Sequence, residues 1–257
     1  MASAAPLVTI SVISQGDGLP LQRLLASLAS CERAGRLQII VTDNLGQDLR
    51  EITDRGWHSL QLIRNAVPKG YARNHNQAFK HAQGSYFCVL NPDVEFLEPT
   101  LDPLVSSLEA GSADIVAPLV VDTQGRVQDS FRHLPTPWGL VARWIGGGPA
   151  DVETPTAQLE EVDWIAGIFM LMPKGTFSAL GGFDPAYRLY FEDVDLCTRA
   201  RLMSLRIAVW TPLRLQHDAR RASRRPGRHL IWHLRSAIRF FASDTYRQAK
   251  LMAESHA

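Results

Sequence analysis

The chain has 257 residues, 46% of them hydrophobic and 21% charged, with a formal net charge of +1. That length and balance suit one large α/β domain or two small ones, and they give no global electrostatic case for binding nucleic acid. No stretch approaches the ~20 consecutive apolar residues of a membrane-spanning helix.

The N-terminal MASAAPLVTISVIS lacks the basic lead of a secretion signal, and its β-branched residues predict a strand over 7–14. A QGDG turn follows, and then Leu21, Leu24, Leu25 and Leu28 recur at helical spacing behind Pro20, which suits a first helical turn. LQIIVTDN (37–44) reads as a second strand and SLQLIRN (59–65) as a third. GYARNHNQAFKHAQG (70–84) predicts a helix closed by Gly84, and SYFCVLN (85–91) a fourth strand. This order predicts an α/β fold with a mostly parallel sheet of nucleotide-binding type, whose ligands sit beyond the carboxyl ends of the strands. Those ends are Ser14, Asp43-Asn44, Asn65 and Asn91-Pro92-Asp93, all polar.

Farther along, DIVAPLVVDTQGRVQDSF (114–131) predicts two strands around a DTQG turn, and 132–160 a long loop around the apolar piece WGLVARWI. DWIAGIFMLMPKG (163–175) predicts one buried strand, YFEDVDLCTRA an acidic cluster opening a helix, and RIAVWTP (206–212) a last strand. From Arg228 the pattern is an amphipathic helix, with Leu230, Leu234, Ala237, Ile238 and Phe241 on one face and Arg228, Arg235 and Arg239 opposite. The segment 214–247 holds nine arginines against Asp218 and Asp244. Cys31, Cys88 and Cys197 fit neither a zinc site nor a disulfide framework, so buried reduced thiols of a cytosolic protein are expected.

Four places carry candidate chemistry. Asp43-Asn44 can accept a hydrogen bond from a base N–H or a ribose hydroxyl, or can cap an Asx-type turn. In Asn91-Pro92-Asp93 the proline ends the strand; the flanking side chains offer hard oxygens that suit Mg²⁺ or Mn²⁺, and a type I turn is the plainer reading. Glu192, Asp193 and Asp195 fall within four residues. They are either a crowded set containing a general base of raised pKa or the acidic first turn of a helix. His217 is either structural or a ligand for metal or phosphate.

Taken in order, the strand ending Asp43-Asn44, then GYARNHNQA, LNPDVEF, GGFDPAYRLYFEDVDLCTR and His217 resemble the inverting glycosyltransferases of family 2, with the GT-A fold. The likeness covers most of the chain and is nearest to the rhamnosyltransferase-like branch, which carries Asn-Pro-Asp where other members have Asp-x-Asp. The resemblance implies a single domain over 1–257: a nucleotide-sugar half (1–97), an acceptor and catalytic half (98–227) and a C-terminal helical segment (228–257). It places Asp43 at the base, with Asn44, Gly70, Arg73, Asn76 and Asn91 toward the donor. Asp93 and His217 would hold Mn²⁺ or Mg²⁺, one charge weaker because Asn91 stands at the first acidic position. Asp193 would be the general base, and Trp164, Gly167 and Glu192 would lie in the acceptor region. The implied partners are a dTDP-rhamnose or UDP-sugar donor and a glycan or lipid-linked acceptor. The Gln-x-x-Arg-Trp pattern of processive synthases is missing, so single-residue transfer is expected.

The 220–241 segment has two readings, a helix packed on the core or a peripheral contact with an anionic membrane face. Two other enzyme classes fit less well. A sugar-nucleotide nucleotidyltransferase would carry a Gly-rich, Arg-containing loop where this chain has SQGDGLP, and a dinucleotide oxidoreductase would carry G-x-G-x-x-G there. A catalytically inactive GT-A-like binding domain is the non-enzyme alternative, and the intact Asp93 and Asp193 speak against it.

Overall fold

The structure, a computed structural model, describes residues 7–16, 18–30, 34–46, 52, 55–98, 100–145, 155, 157–218 and 227–255. Four parallel strands form one half of the sheet: β1 (Val8–Ser14), β2 (Leu37–Asp43), β3 (Ser59–Arg64) and β4 (Tyr86–Leu90). Both β1 and β2 are buried along their whole length, which is why they read as unbroken apolar runs rather than alternating ones. Register pairs Ser14 with Asp43 and Asp43 with Arg64, so the polar strand ends lie level along one edge.

The sheet continues with β5 (Val94–Phe96), β6 (Ile115–Val121), β10 (Phe169–Pro173) and β11 (Ile207–His217). Its order is β3-β2-β1-β4-β10-β6-β11-β5, and a short β8 (Leu159–Glu161) also pairs with β11. β10 runs antiparallel to both β4 and β6, so Phe169 faces Leu90 across the ladder and the turn before β10 meets the turn after β4. β7 (Phe131–Arg132) and β9 (Trp164–Ile165) make a separate two-stranded ribbon.

Helices cover the sheet. α1 (Gly18–Ala29) buries Leu21, Leu24, Leu25 and Leu28, the positions its periodicity singled out. Truncating one of them, as in Leu24→Ala, costs about 2–5 kcal/mol through lost transfer energy and the cavity left behind. α2 (Tyr71–Phe79), α3 (Asp102–Glu109), α5 (Lys174–Ala179) and α6 (Glu192–Leu202) complete the main layers. α4 (Pro137–Ile145), α7 (Arg228–Phe241) and α8 (Asp244–Ser255) belong to the C-terminal side. Tyr187, Phe191, Val194, Ala237 and Phe240 form a second cluster there, with Leu140 packed against it.

Several expectations change. The helix over 70–84 stops at Phe79, and Gly84 donates its N–H to Thr9 Oγ1 at 2.9 Å, packing against β1 rather than capping. The 114–131 segment gives one strand and a turn, because Asp122 draws in the N–H groups of Gln124 and Arg126 and leaves only an isolated bridge at Val127. The 163–175 segment is two strands in different sheets, separated by a turn at Ala166–Ile168. WGLVARWI is helical, not loop. The C-terminal segment is two helices, and α7 turns a different face inward. Ser236, Ala237 and Phe240 are buried while Leu234 and Ile238 are exposed. Ser236 can be buried because its hydroxyl donates to Leu189 O at 2.9 Å, and His233 stacks on Phe191 at 5.4 Å. Cys88 and Cys197 are free and buried as expected; Cys31 lies outside the described residues. No helix among the described residues is long and apolar enough to cross a membrane.

Candidate active site

The first part of the site is a polar layer on the carboxyl ends of β2 and β3. Asp43 is fully buried, and its Oδ1 accepts from the N–H groups of Leu45 (3.2 Å) and Gly46 (2.8 Å), an Asx turn that ends the strand. Asn44 donates to Lys69 O and accepts from Lys69 N–H and Asn65 Nδ2, and Asn65 reaches on to Asn74 Oδ1 at 2.7 Å. These amides tie the loop before α2 to the strand ends. Asn65 and Asn74 share that work with Asn44.

Gly70 caps α2 where the 184–190 loop crosses it. A Cβ there would lie 2.5 Å from Arg188 O, and the next N–H, of Tyr71, donates to that same oxygen at 2.9 Å. Only glycine admits that approach. The crossing leaves a cleft of about 250 Å³ lined by Pro68, Lys69, Gly70, Arg73, Pro185 and Arg188, with three cations and no carboxylate in its walls. Such a wall favours an anionic ligand. Asn76 does not face that cleft with a spare amide. It clamps the Phe183 backbone, donating to its carbonyl at 2.7 Å and accepting from its N–H at 3.0 Å.

Asp93 and His217 meet. His217 ends β11, and its Nε2 lies 3.4 Å from Asp93 Oδ1. Gln128 fixes the imidazole: its Nε2 donates to His217 O at 2.6 Å, which leaves Oε1 facing Nδ1 at 3.0 Å. An amide oxygen only accepts, so Nδ1 carries the proton, and a neutral His217 turns the bare lone pair of Nε2 toward a carboxylate. Two acceptors so placed call for a positive charge between or beside them, either a proton or a metal ion. A histidine held through its other nitrogen and a carboxylate of buried, unbonded Oδ1 fit a divalent cation that keeps the rest of its shell for ligand oxygens or water. Among the described residues no cluster of three or more His, Cys, Asp or Glu side chains forms, so the protein's share of such a shell is small.

The third part is the start of α6. Tyr190 and Phe191 precede it with φ of 70° and 67°, left-handed values that cost bulky residues energy. The α7 side holds them: Tyr190 OH meets His229 Nδ1 at 3.1 Å, and Phe191 packs on His233 and Phe240. That sharp entry presents three carboxylates with three fates. Asp195 pairs with Arg199 at 2.8 Å, and Arg199 bonds the carbonyls of Leu180 and Gly182. Glu192 is buried; burial, then the charge of Asp193, push its pKa well above the ordinary value, and its Oε2 has no hydrogen-bond partner. Asp193 stays partly accessible and accepts N–H bonds from Gly167 (2.9 Å, Oδ2) and Val194 (2.8 Å, Oδ1). Burial raises its pKa, and those two bonds pull back toward the ionised form. Of the three, Asp193 alone is partly accessible while both its oxygens are held by backbone N–H groups.

Gly167 thus touches Asp193. Trp164 packs at the border of both apolar clusters, with its indole N–H buried and unbonded. Asn91 donates its backbone N–H to Ile168 O at 2.9 Å, joining the turn after β4 to the turn before β10. His75, on the buried face of α2, has its pKa lowered to about 3 by burial and stays neutral against Ser11 Oγ at 2.8 Å. Sequence reasoning missed Gln128, Tyr71 and Lys69, whose side-chain roles depend on partners 89, 96 and 8 residues away.

The fold is that of the GT-A glycosyltransferases. It is similar to the crystal structure of GalNAc-T7 with UDP, GalNAc and Mn²⁺, at a TM-score of 0.67 and 15% identity, over 92% of this chain and 48% of that one. It is also similar to Staphylococcus aureus TarS 1–349 in complex with UDP-GlcNAc, at 0.61 and 15%, over 93% of this chain and 67% of the other. The sequence profile of Glycosyl transferase family 2 matches residues 15–170, more than half of the chain, and the chain belongs to that family. Among its relatives is the rhamnosyltransferase WbbL of Escherichia coli K12, 27% identical over 92% of this chain and 93% of that protein. The N-acetylglucosaminyl-diphospho-decaprenol L-rhamnosyltransferase of Mycobacterium tuberculosis is likewise 27% identical, over 94% and 85%. The chain is therefore a rhamnosyltransferase-like glycosyltransferase.

Proposed function

We propose that this enzyme is an inverting, non-processive transferase that moves a sugar, rhamnose in the first instance, from a nucleotide-sugar donor to a hydroxyl of a glycan or lipid-linked acceptor, in cell-surface polysaccharide synthesis. The observation that carries this reading is Asp193: a partly accessible carboxylate, oriented by two backbone N–H groups at a strained helix start. It takes the proton of the acceptor hydroxyl as that oxygen attacks the anomeric carbon. One displacement inverts the centre, and no second nucleophile is needed.

Asp43 and the Asn44 network frame the nucleotide pocket in this reading, with Asn91 alongside and Asn76 holding the Phe183 loop that borders it. The Lys69, Arg73 and Arg188 cleft receives anionic groups of the donor. Asp93 and His217 would hold a divalent cation, Mn²⁺ or Mg²⁺, which when bound neutralises charge on the departing diphosphate. The rhamnosyltransferase relatives support dTDP-rhamnose as donor ahead of UDP-sugars, and the M. tuberculosis relative's name supports a lipid-linked acceptor.

The test is a donor screen. dTDP-rhamnose, UDP-sugars and GDP-sugars are titrated with and without Mn²⁺ or Mg²⁺, and binding and slow donor hydrolysis are measured. Saturable binding of dTDP-rhamnose is expected, and binding of no nucleotide sugar would overturn the reading.

A cytoplasmic enzyme at the inner membrane face fits this role. α7 holds no acidic residue, and its exposed side combines Ile231, Leu234 and Ile238 with Arg228, Arg235 and Arg239, which supports peripheral contact with an anionic bilayer. Residues 220–226 of the basic segment lie outside the described residues. Binding to anionic liposomes at low salt, weakened by salt and by Ile238→Glu, is expected; no binding at low salt removes the contact.

A further inference from the structure

Tyr71 stands where three parts of the site converge. It is the first residue of α2, with its ring buried edge-on against His75 at 4.4 Å and Phe183 at 6.0 Å. Its backbone N–H holds Arg188 O, in the loop that leads to Asp193. Its hydroxyl donates to Gly167 O and lies 3.5 Å from Asn91 Oδ1. A Cβ on Gly167 would sit 2.9 Å from that hydroxyl, so the glycine and the phenol fit only as a pair.

Gly167 has no side chain to fix its own φ and ψ, so its two peptide planes must be held from outside. Asp193 Oδ2 holds the plane that carries the N–H, at 2.9 Å. Tyr71 holds the plane that carries the carbonyl. A carbonyl oxygen only accepts, so the phenol is the donor in this pair, and burial, which raises its pKa, keeps the proton on it.

We propose that Tyr71 is a positioning residue for Asp193, acting through the Gly167 backbone: its hydroxyl locks the 166–168 turn so that the Gly167 N–H engages Oδ2 and aims the carboxylate at the acceptor hydroxyl. The inference rests on Asp193 being the base. It gives Tyr71→Phe a specific signature. The ring stays, so packing and donor binding stay, but the turn loses its lock and the base loses its aim. A base displaced by a fraction of an ångström costs rate rather than affinity.

The experiment compares wild type, Tyr71→Phe, Gly167→Ala, the double variant and Asp193→Asn, using the nucleotide sugar returned by the donor screen. Donor affinity and kcat for donor turnover are read separately, with a thermal melt for each variant. Tyr71→Phe is expected to lower kcat about 10- to 100-fold with donor affinity held within about threefold. Gly167→Ala is expected to lose more. Adding it to Tyr71→Phe is expected to cost far less than adding it to wild type, because the hydroxyl it would strike is gone. Undiminished kcat in Tyr71→Phe beside an inactive Asp193→Asn overturns this proposal alone. An active Asp193→Asn overturns it together with the base assignment. Fully additive losses, or a melt that falls in step with kcat, reduce Tyr71 to a packing residue and also overturn it.

Discussion

The site contains two carboxylates that the sequence presents in much the same way and the fold treats in opposite ways. Asp93 follows a strand and faces His217, whose proton is pinned on the far side of the ring by Gln128. Asp193 opens a helix and faces backbone N–H groups, beside a carboxyl whose pKa burial raises. In the proposed function the first carboxylate shares a cation with His217, and the second, held by two backbone N–H groups, takes up a proton. In that reading an acid's neighbours, more than its motif, decide whether it serves as ligand or base.

The strongest way to break this contrast is at Asp193. Asn is nearly isosteric, and its carbonyl oxygen can accept one of the two N–H groups, that of Gly167 or that of Val194, so Asp193→Asn keeps the side-chain shape at the loss of one hydrogen bond and deletes the proton acceptor. Transfer is expected to fall about 10²–10⁴-fold, the range for removing a general base, with donor affinity almost unchanged. Loss of donor binding along with activity would move Asp193 into the donor site and erase the contrast.

On the other side, the lever is Gln128, which acts on the pair through its hydrogen bonds to His217. Gln128→Leu frees the imidazole to turn and to change tautomer. If His217 and Asp93 share a divalent ion, the Mn²⁺ concentration for half-maximal donor binding rises about 10- to 100-fold, as when a histidine ligand loses its orienting partner. An unchanged Mn²⁺ dependence would leave His217 and Asp93 as a simple ion pair. This effect is smaller than that at Asp193 because the ligands themselves remain.

The fold was largely legible where neighbours in sequence are neighbours in space. The apolar runs of β1, β2 and β4 and the leucine stripe of α1 follow from local pattern, and so does the polar edge at Asp43 and Asn91. The break at Ala166–Ile168 was not legible, because an apolar run looks the same whether one sheet or two receives it. Nor was the inward face of α7: Ser236 and His233 become tolerable inside only because Leu189 O and Phe191 happen to await them. The candidate site divides likewise. Asp93, Asp193 and His217 announce themselves by residue type, whereas Gln128 reaches His217 across 89 positions and Tyr71 reaches Gly167 across 96. Nothing local marks either as more than an ordinary polar or aromatic residue.

The finest probe of the contrast is the silent member of the acid pair, Glu192. Burial and the adjacent Asp193 charge raise its pKa well above the ordinary 4.5, so the folded chain keeps that proton to a higher pH than the unfolded chain does. The unfolded state then binds fewer protons, and stability falls as pH rises. The Glu192 contribution is intact below about pH 4.5 and is lost as the pH climbs toward the raised value. Glu192→Gln replaces the protonated acid with a neutral amide of the same shape and removes that dependence. Its melting temperature is expected to match wild type near pH 4 and to exceed it near pH 8, by about 2–4 °C for each kcal/mol of relief. Because Gln keeps the shape of the side chain and leaves Asp193 and its two N–H partners in place, kcat should stay within about threefold of wild type, against the large loss in Asp193→Asn. Melting curves from pH 4 to 8 and a single kcat measurement decide it. A stability gain that does not grow with pH would mean that Glu192 is ionised in the fold. The two neighbouring carboxylates would then share one role instead of dividing it.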